Sequence, residues 1–347
     1  MNTPQRILII RFSSIGDVIL TSPLIRTLRA SFPDAQIDFL VRKDVAELVR
    51  YHPSLNNVYE YDPQTGLKGL RTLKSQLKDR RYDLVIDAHN SLRSRYIRLL
   101  LSREIRKIRK RIFARTMLVK FKKNYYSEYV SVADRYIEPV HKFGIKNDTK
   151  GLDIFIPEEI KKRVAALQKH FGLKEHHKCI GISAFAKHTT KCWPAERFVE
   201  LAVRLIQEHQ SRIILFGSIA DQLGCTEMQK KIAGVTGNES VINVSGHLSL
   251  LESAAMVKIC SLMISNDSGF MHVASAMKVP LVAIFGSTVK EFGFYPHGQN
   301  NVVIEKSNLK CRPCSHIGRN VCPEGHFRCM LDIQVHEVLT AASLVVQ

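Results

Sequence analysis

Two loops in the second half of the chain carry residue types suited to binding an anion. In the first loop, Asp267, Ser268 and Gly269 stand between an apolar run and a segment with helical spacing. The first N–H groups of a helix lack internal partners, that helix end carries about half a positive charge, and glycine lets a ligand approach the backbone. The pattern therefore predicts a phosphate or diphosphate site, with an ordinary N-cap formed by Asp267 or Ser268 as the alternative.

The second loop contains Lys191, which follows a predicted strand at 179–183 and stands three residues before Pro194. Proline is favoured in the first turn of a helix, so we expect a helix to begin there. Lysine is a common point-charge partner of phosphate, and two such loops in one sheet favour an anionic ligand more than either does alone. His272, one turn beyond Gly269, is explained equally well as a structural histidine.

A carboxylate follows the first predicted strand of the chain. Asp17 comes shortly after Ser13 and Ser14, in the opening turn of a predicted helix. An aspartate with an ordinary pKa near 3.9 is ionised at neutral pH and can accept a proton from a hydroxyl. A helix-dipole partner, worth about 0.3–1 kcal/mol, is the alternative.

Several motifs with well-understood chemistry are absent from the sequence. It contains no Gly-x-Gly-x-x-Gly fingerprint, no P-loop and no Gly-x-Ser-x-Gly elbow, which argues against a dinucleotide-binding enzyme, a P-loop NTPase and a serine hydrolase. It also lacks an Asp-x-Asp pair for a divalent ion. We therefore expect chemistry that requires no metal cofactor.

Short apolar runs alternate with helical patterns in both halves, which predicts an α/β fold with doubly wound parallel sheets. The predicted strands are 6–12, 36–41, 58–61 and 82–87, then 179–183, 212–217, 241–245, 261–266 and 281–286. A linker-like stretch near 145–157 gives predicted domains 1–150 and 151–347, a size that 347 residues suit. Ligands of such sheets bind at the carboxyl ends of the strands, where the candidate residues fall.

Positive charge is concentrated in the first half. The chain has a formal net charge of +19, and residues 1–150 contain 30 Lys and Arg against 15 Asp and Glu. Residues 103–123 hold ten basic residues and one acid, which predicts an amphipathic basic helix or a mobile lid. An acidic partner is indicated, with a merely solvated basic surface as the alternative. The sequence has neither a spanning apolar segment of about 18 residues nor the pattern of a secretory signal, so we expect a cytoplasmic location.

Three segments together resemble the ADP-heptose:lipopolysaccharide heptosyltransferase family. They are residues 6–33, the Lys-Cys-Trp-Pro sequence at 191–194, and residues 266–288. The resemblance implies a GT-B glycosyltransferase, with two Rossmann-like domains facing across a cleft, that inverts the anomeric centre and forms no covalent intermediate. It implies that domain 1–150 binds the acceptor. Domain 151–347, with a cysteine cluster at 311–329 and a C-terminal helix, would bind the nucleotide sugar.

The resemblance also implies roles for the candidate residues. Asp17 would be the general base that deprotonates the acceptor hydroxyl, and Lys191 would neutralise the donor diphosphate. The other implied donor-site residues are Ser13, Ser14, Asp267, Ser268, Gly269 and His272. Relatives commonly place a ribose-binding glutamate where this chain has Leu223, and Asp221 is the nearest substitute. A transferase that uses another nucleotide sugar is therefore the alternative.

The implied acceptor is an anionic lipid A–Kdo molecule at the cytoplasmic face of the inner membrane. His89, Asn90 and Arg93 are candidate acceptor contacts, with an N-cap and a solvated helix as the alternative. Residues 103–123 are the candidate contact with the anionic leaflet, since each basic residue near such a surface contributes about 1 kcal/mol. A nucleic-acid-binding protein with a zinc module is a remote alternative. It is remote because nucleic-acid binding favours a basic stripe interleaved with aromatic residues, and the sequence has no such stripe.

Four cysteines near the C-terminus have the spacing Cys-x2-Cys-x7-Cys-x6-Cys. They are Cys311, Cys314, Cys322 and Cys329, with His316 and His326 among them. In a reducing compartment such a cluster predicts a structural zinc site. Unligated or redox-paired thiols are the alternative.

Overall fold

The computed structural model describes residues 3–174 and 176–346, which form two compact units. The first unit ends at Lys110 and resumes with Val130–Pro157; the second contains Arg111–Tyr129 and the chain from Glu158 onward.

This division differs from the predicted boundary at residue 150 in two ways. The main change of unit falls after Pro157, and residues 111–129 belong to the second unit. Lys122 shows why, because its Nζ donates hydrogen bonds to the carbonyl oxygens of Cys311 (2.9 Å) and Pro313 (2.7 Å). A segment that the sequence places in the basic first half therefore packs on the cysteine-rich end of the chain.

Each unit contains one parallel sheet. The first has the strand order β3-β2-β1-β4-β5 and the second the order β11-β10-β9-β6-β7-β8. The strands are β1 Arg6–Ile10, β2 Gln36–Arg42, β3 Asn57–Tyr61, β4 Leu84–Asp87, β5 Glu104–Lys107, β6 Cys179–Ser183, β7 Arg212–Leu215, β8 Val241–Asn243, β9 Leu262–Asn266, β10 Leu281–Phe285 and β11 Asn301–Glu305. All nine predicted strands are confirmed in position, and β5 and β11 are additional edge strands.

Helices connect the strands, as the alternating pattern predicts. They are α1 Ile15–Ile19, α2 Ser22–Ser31, α3 Glu47–Arg50, α4 Gly66–Lys78, α5 Leu92–Arg98, α6 Ile112–Phe121, α7 Val132–Ile137, α8 Glu158–His170, α9 Ala195–His209, α10 Gln222–Thr236, α11 Leu250–Lys258, α12 Gly269–Ala276, α13 Arg328–Leu331 and α14 Val335–Val346. Pro194 is the N-cap of α9 and not a residue of its first turn. Within the described ranges, every helix is too short or too polar to cross a lipid bilayer.

The basic stretch 103–123 does not form one helix. Residues Glu104–Lys107 pair with β4 as the edge strand β5, and only Ile112–Phe121 is helical. Along β5 the half-buried and exposed residues alternate, as expected for a strand at the edge of a sheet. The prediction of a helix or lid over the whole stretch is therefore wrong for its first part.

The strand order fixes where ligands can bind. In the first sheet the order reverses between β1 and β4, and in the second sheet it reverses between β6 and β9. β4, β6 and β9 are buried along their whole length, and β1 is buried after its first residue. Such strands cannot themselves contact a ligand. Side chains in the loops that follow them can do so, since a crevice opens where the order reverses.

Candidate active site

Asp17 lies in the loop-to-helix turn after β1, and its carboxylate is held on both oxygens. Arg11 Nη2 lies 2.7 Å from Oδ1, and the Tyr136 hydroxyl donates to the same oxygen at 3.0 Å. Ser14 donates its backbone N–H (3.2 Å) and its hydroxyl (2.8 Å) to Oδ2. The side chain of Asp17 remains 17% exposed. The carboxylate is thus fixed in direction but still accessible to a ligand.

The surroundings keep Asp17 ionised. Burial alone would raise its pKa, but the Arg11 charge and the hydrogen bonds from Ser14 and Tyr136 outweigh burial and lower the pKa below its usual value. Arg11 also donates to the Ala88 carbonyl oxygen at 2.7 Å, which ties the Asp17 site to the end of β4. The sequence analysis did not identify Arg11 or Tyr136.

His89 and Asn90 form the turn after β4. The buried Asp87 carboxylate accepts the backbone N–H groups of both residues, at 3.0 and 2.6 Å, and the Asn90 side chain donates to the Ile108 carbonyl at 3.1 Å. Asn90 has a left-handed φ of 47°, which asparagine tolerates better than most residues. The N-cap of α5 is Ser91, so His89 and Asn90 are not needed to cap that helix.

The His89 imidazole is kept neutral. Burial lowers its pKa to about 4, and the positive charges of Arg11, Lys110 and Arg93 act in the same direction. The Asp17 charge acts in the opposite direction, and Arg11 joins the two residues, because it pairs with Asp17 and donates to the carbonyl of Ala88, the residue before His89. The structure therefore brings His89 and Asp17 into one region, while Arg93 is an exposed residue of α5 whose charge still reaches His89.

In the second unit, Lys191 and Asp267 form an ion pair. The Lys191 Nζ lies 2.7 Å from Asp267 Oδ2, and the Thr288 hydroxyl donates to the same oxygen at 2.7 Å. Asp267 is buried and the Lys191 side chain is 16% exposed. Lys191 follows β6 and Asp267 follows β9, so the two predicted anion-binding loops meet where the strand order reverses.

Among the described residues, the start of α12 lacks the ordinary side-chain N-cap, formed by Asp267 or Ser268, that the sequence analysis gives as the alternative to an anion site. Ser268 is the N-cap residue, yet within the described chain its side chain makes no capping hydrogen bond and its hydroxyl lies 3.1 Å from that of Ser265. Asp267 is directed to Lys191 and Thr288. Ser268 therefore does not cap α12 through its side chain, and the start of this helix suits an anion.

Asn266 joins the two loops and was not singled out in the sequence. Its side chain accepts the Trp193 backbone N–H at 3.0 Å and donates to the Ala184 carbonyl oxygen at 2.7 Å. Trp193 is buried, as expected of a packing residue, and donates its indole N–H to Ile333. An asparagine at the end of a buried strand, directly before the Asp-Ser-Gly turn, is the signal that could have identified it.

His272 and Asp221, both predicted donor-site residues, make structural contacts. His272 is buried in α12, edge-on to Phe294 at 6.4 Å between ring centres. Asp221 accepts the backbone N–H (2.8 Å) and the hydroxyl (2.6 Å) of Ser218, which caps the turn before α10. Leu223, in the first turn of α10, is 74% exposed.

The four clustered cysteines are all free thiols. Burial, together with the neighbouring Cys314, Cys322 and Cys311, raises the pKa of Cys329 to about 12, so the four lie close to one another. Over residues 3–174 and 176–346, no group of three or more His, Cys, Asp or Glu side chains is arranged to hold a metal ion. The structural zinc site stays a prediction from spacing.

These groups suit transfer of a group from a phosphate leaving group to a hydroxyl. The first unit offers an oriented carboxylate beside a neutral imidazole, which can accept a proton from a hydroxyl. The second offers an ammonium group and the N-terminus of α12, which can stabilise negative charge that develops on a departing phosphate. A proton acceptor and a group that stabilises a leaving group, the two kinds of group that such a transfer needs, are thus both present in the chain.

Comparison with known proteins identifies the family. A model of glycosyltransferase family 9 (heptosyltransferase) matches residues 70–323. Lipopolysaccharide heptosyltransferase 3 of Escherichia coli K12 is 25% identical over 312 residues, which cover 87% of this chain and 88% of that protein.

Solved structures share the fold along the whole chain. The glycosyl transferase family 9 from Veillonella parvula DSM 2008 matches with a TM-score of 0.82 and 24% identity, covering 100% of this chain and 98% of that one. The E. coli ADP-heptose lipopolysaccharide heptosyltransferase II matches with a TM-score of 0.73 and 23% identity, covering 98% of each chain. The predicted GT-B fold class is confirmed. The chain belongs to glycosyltransferase family 9, the heptosyltransferases.

Proposed function

We propose that this glycosyltransferase moves heptose from ADP-heptose to the Kdo or heptose inner core of lipopolysaccharide, with inversion at the anomeric carbon. The observation that carries the proposal is the Lys191–Asp267 ion pair beside the open N-terminus of α12. That arrangement suits a diphosphate. The E. coli relative of known structure is named for the same donor.

In the donor site, Lys191 is the group that meets the diphosphate. An ammonium group has three N–H donors, so Lys191 can bind a phosphate oxygen while it remains paired with Asp267. As the bond between the anomeric carbon and the diphosphate breaks, negative charge grows on the leaving oxygen. Lys191 and the N–H groups that follow Gly269 stabilise that charge, so we expect no metal ion to be required for the chemistry.

In the acceptor site, Asp17 is the proposed general base. Its low pKa keeps it ionised but makes it a weak base, so the proton moves from the acceptor hydroxyl to Asp17 only as the new C–O bond forms and the hydroxyl becomes acidic. Arg11 and Tyr136 hold the carboxylate in place while this happens. His89, Asn90 and Arg93 are the proposed contacts with the anionic acceptor.

Helix α6 is the proposed contact with the membrane that carries the acceptor. Phe113 and Phe121 are 66% and 61% exposed, Ile112 and Tyr125 are also exposed, and Lys120 lies on the same helix. Exposed aromatic side chains together with basic residues are typical of a helix that lies in the surface of an anionic bilayer. The proposed location is accordingly the cytoplasmic face of the inner membrane.

The donor and the base are tested together. We expect the purified protein to transfer heptose from ADP-heptose to truncated lipopolysaccharide acceptors. Asp17→Asn should lower kcat by about 10²–10⁴-fold, the usual contribution of a general base, and leave ADP affinity nearly unchanged, because the isosteric amide keeps the Ser14 loop in place and the charged diphosphate contact is Lys191. Near-normal turnover of the variant would remove Asp17 from this role. If the protein transfers sugar from another nucleotide sugar and not from ADP-heptose, the result would favour the alternative, a transferase with a different donor.

The pH dependence of kcat/KM should report the surroundings of Asp17. Because its pKa is lowered in the folded protein and the ionised form is active, activity is lost only as pH falls through that lowered pKa. Tyr136→Phe removes one stabilising hydrogen bond, so the acid limb should move to higher pH. Tyr82→Phe, which deprives the buried Asp38 of a similar bond, is the matched control and should leave the limb in place. An unmoved limb in Tyr136→Phe would contradict the assignment.

Donor affinity should depend on Lys191. Lys191→Ala removes a charge-assisted contact worth about 1.5–3 kcal/mol, so ADP should bind at least tenfold more weakly in calorimetry. Lys187→Ala, in the same loop but exposed, is the control and should bind ADP normally. Equal ADP affinity of Lys191→Ala and the wild type would exclude the proposed diphosphate contact.

Binding to anionic vesicles should depend on α6. The double variant Phe113→Ser, Phe121→Ser should bind phosphatidylglycerol vesicles about tenfold or more weakly, because each aromatic side chain loses its burial in the interface. Leu67→Ser, at an exposed leucine of α4, is the control. Unchanged vesicle binding of the double variant would show that this helix is not the membrane contact.

A further inference from the structure

The segment 311–329, which contains the clustered cysteines, is bonded to the turn after β10 and to the Lys191 loop. Its first contact is made by Arg312, whose side chain is only 3% exposed. The Arg312 guanidinium donates from Nε to the Gly286 carbonyl oxygen (2.5 Å) and from Nη2 to the Thr288 carbonyl oxygen (2.6 Å). It also bonds the Lys306 carbonyl oxygen at 3.1 Å and pairs with Glu305. One buried side chain therefore fixes the turn after β10.

That turn reaches the donor site through Thr288. The backbone carbonyl of Thr288 is held by Arg312, and the hydroxyl of the same residue donates to Asp267, the partner of Lys191. A continuous path of hydrogen bonds and ion pairs thus runs from Arg312 to the Lys191 ammonium group. A displacement of residue 288 would free one lone pair of the Asp267 carboxylate and alter the position of Lys191.

A second set of contacts joins the same segment to the Lys191 loop. Arg319 donates its backbone N–H to the Thr190 hydroxyl (2.7 Å) and accepts the Thr190 N–H (3.0 Å). The Thr190 hydroxyl lies 3.2 Å from that of Ser287. A side chain at Gly286 has no space, because its Cβ would lie 2.9 Å from the Thr190 carbonyl oxygen and 2.6 Å from Met330. The Lys191 loop, the turn after β10 and segment 311–329 are therefore tightly packed against one another.

We propose that Arg312 is a positioning residue for the donor site, and that it acts through Thr288 and Asp267 to place Lys191. The inference rests on the proposed function, in which Lys191 binds the donor diphosphate. It gives segment 311–329 a role in donor binding that does not depend on whether the cysteines bind a metal. Lysine cannot replace Arg312, because a single ammonium group lacks the planar set of donors that reaches four acceptors in fixed directions.

The test compares Arg312→Lys and Thr288→Val with a matched control. Arg26→Lys is the control, because Arg26 also bonds several acceptors, namely Asp148, Asp153 and the Gly151 carbonyl, but lies in the first unit. Four quantities are measured on the full chain: the melting temperature, the Kd of ADP, the separate KM values for donor and acceptor, and the rate at which an amine-reactive reagent modifies Lys191, followed by peptide mass spectrometry.

We expect Arg312→Lys and Thr288→Val to bind ADP about two- to tenfold more weakly, as for the loss of one ordinary intramolecular hydrogen bond. The KM for the donor should rise and the KM for the acceptor should stay constant. Lys191 should be modified faster in both variants. Arg26→Lys should lower the melting temperature but change neither ADP affinity nor the reactivity of Lys191.

Two results would overturn the inference. One is an Arg312→Lys protein that is destabilised like the control while its ADP affinity and Lys191 reactivity equal those of the wild type. The other is a Thr288→Val protein whose ADP affinity and Lys191 reactivity equal those of the wild type. That result would show that the Thr288–Asp267 hydrogen bond does not position Lys191, and it can be obtained even if Arg312→Lys does not fold. Failure of the proposed function would give a different result, because the wild type itself would not bind ADP. In that case the reactivity of Lys191 would still show whether Arg312 positions that residue.

Discussion

The chemistry of this protein depends on where its two parallel sheets reverse their strand order. A strand buried on both faces can offer nothing to a ligand except its carboxyl end, and neighbouring strands whose connections run to opposite sides leave a crevice there. Asp17 and His89 follow β1 and β4, the pair at the reversal in the first sheet. Lys191 and Asp267 follow β6 and β9, the corresponding pair in the second sheet. The topology thus gathers residues that are distant in sequence.

Both sites contain a poorly exposed ion pair, but the working partner differs. In the first unit Asp17 is the proposed reacting group and Arg11 holds it, whereas in the second unit Lys191 is the proposed binding group and Asp267 holds it. A poorly solvated charge without a partner costs several kcal/mol, so each working group needs its counter-ion even before a substrate binds. The pairing also sets the proposed chemistry, because it lowers the pKa of Asp17, which makes that carboxylate a weak base, and it holds the Lys191 side chain in position.

Much of this arrangement could be predicted from the sequence, for reasons that also explain the failures. The central strands appear as continuous apolar runs because both of their faces are buried, and the loop residues Asp17, Lys191 and Asp267 stand directly after such runs. The edge strand β5 alternates exposed and half-buried residues and carries charges, so it resembles part of a basic helix. Tyr136 and Arg312 reach the sites from distant segments, and no local pattern marks such contacts.

In the second unit, the residues proposed to bind the diphosphate differ from those at the turn after β7, where the nucleoside is expected. The proposed diphosphate contacts come from Lys191 and the turn before α12, and neither group needs to touch the nucleoside. The turn after β7 carries Asp221, engaged as a cap, and the exposed Leu223 follows in the first turn of α10. Substitution at Leu223 therefore leaves the leaving-group contacts intact, since the carboxylate that positions Lys191 is Asp267, which is anchored through Thr288 and not through that turn. In the proposed mechanism, recognition of the nucleoside and stabilisation of the departing diphosphate therefore depend on different residues of the second unit.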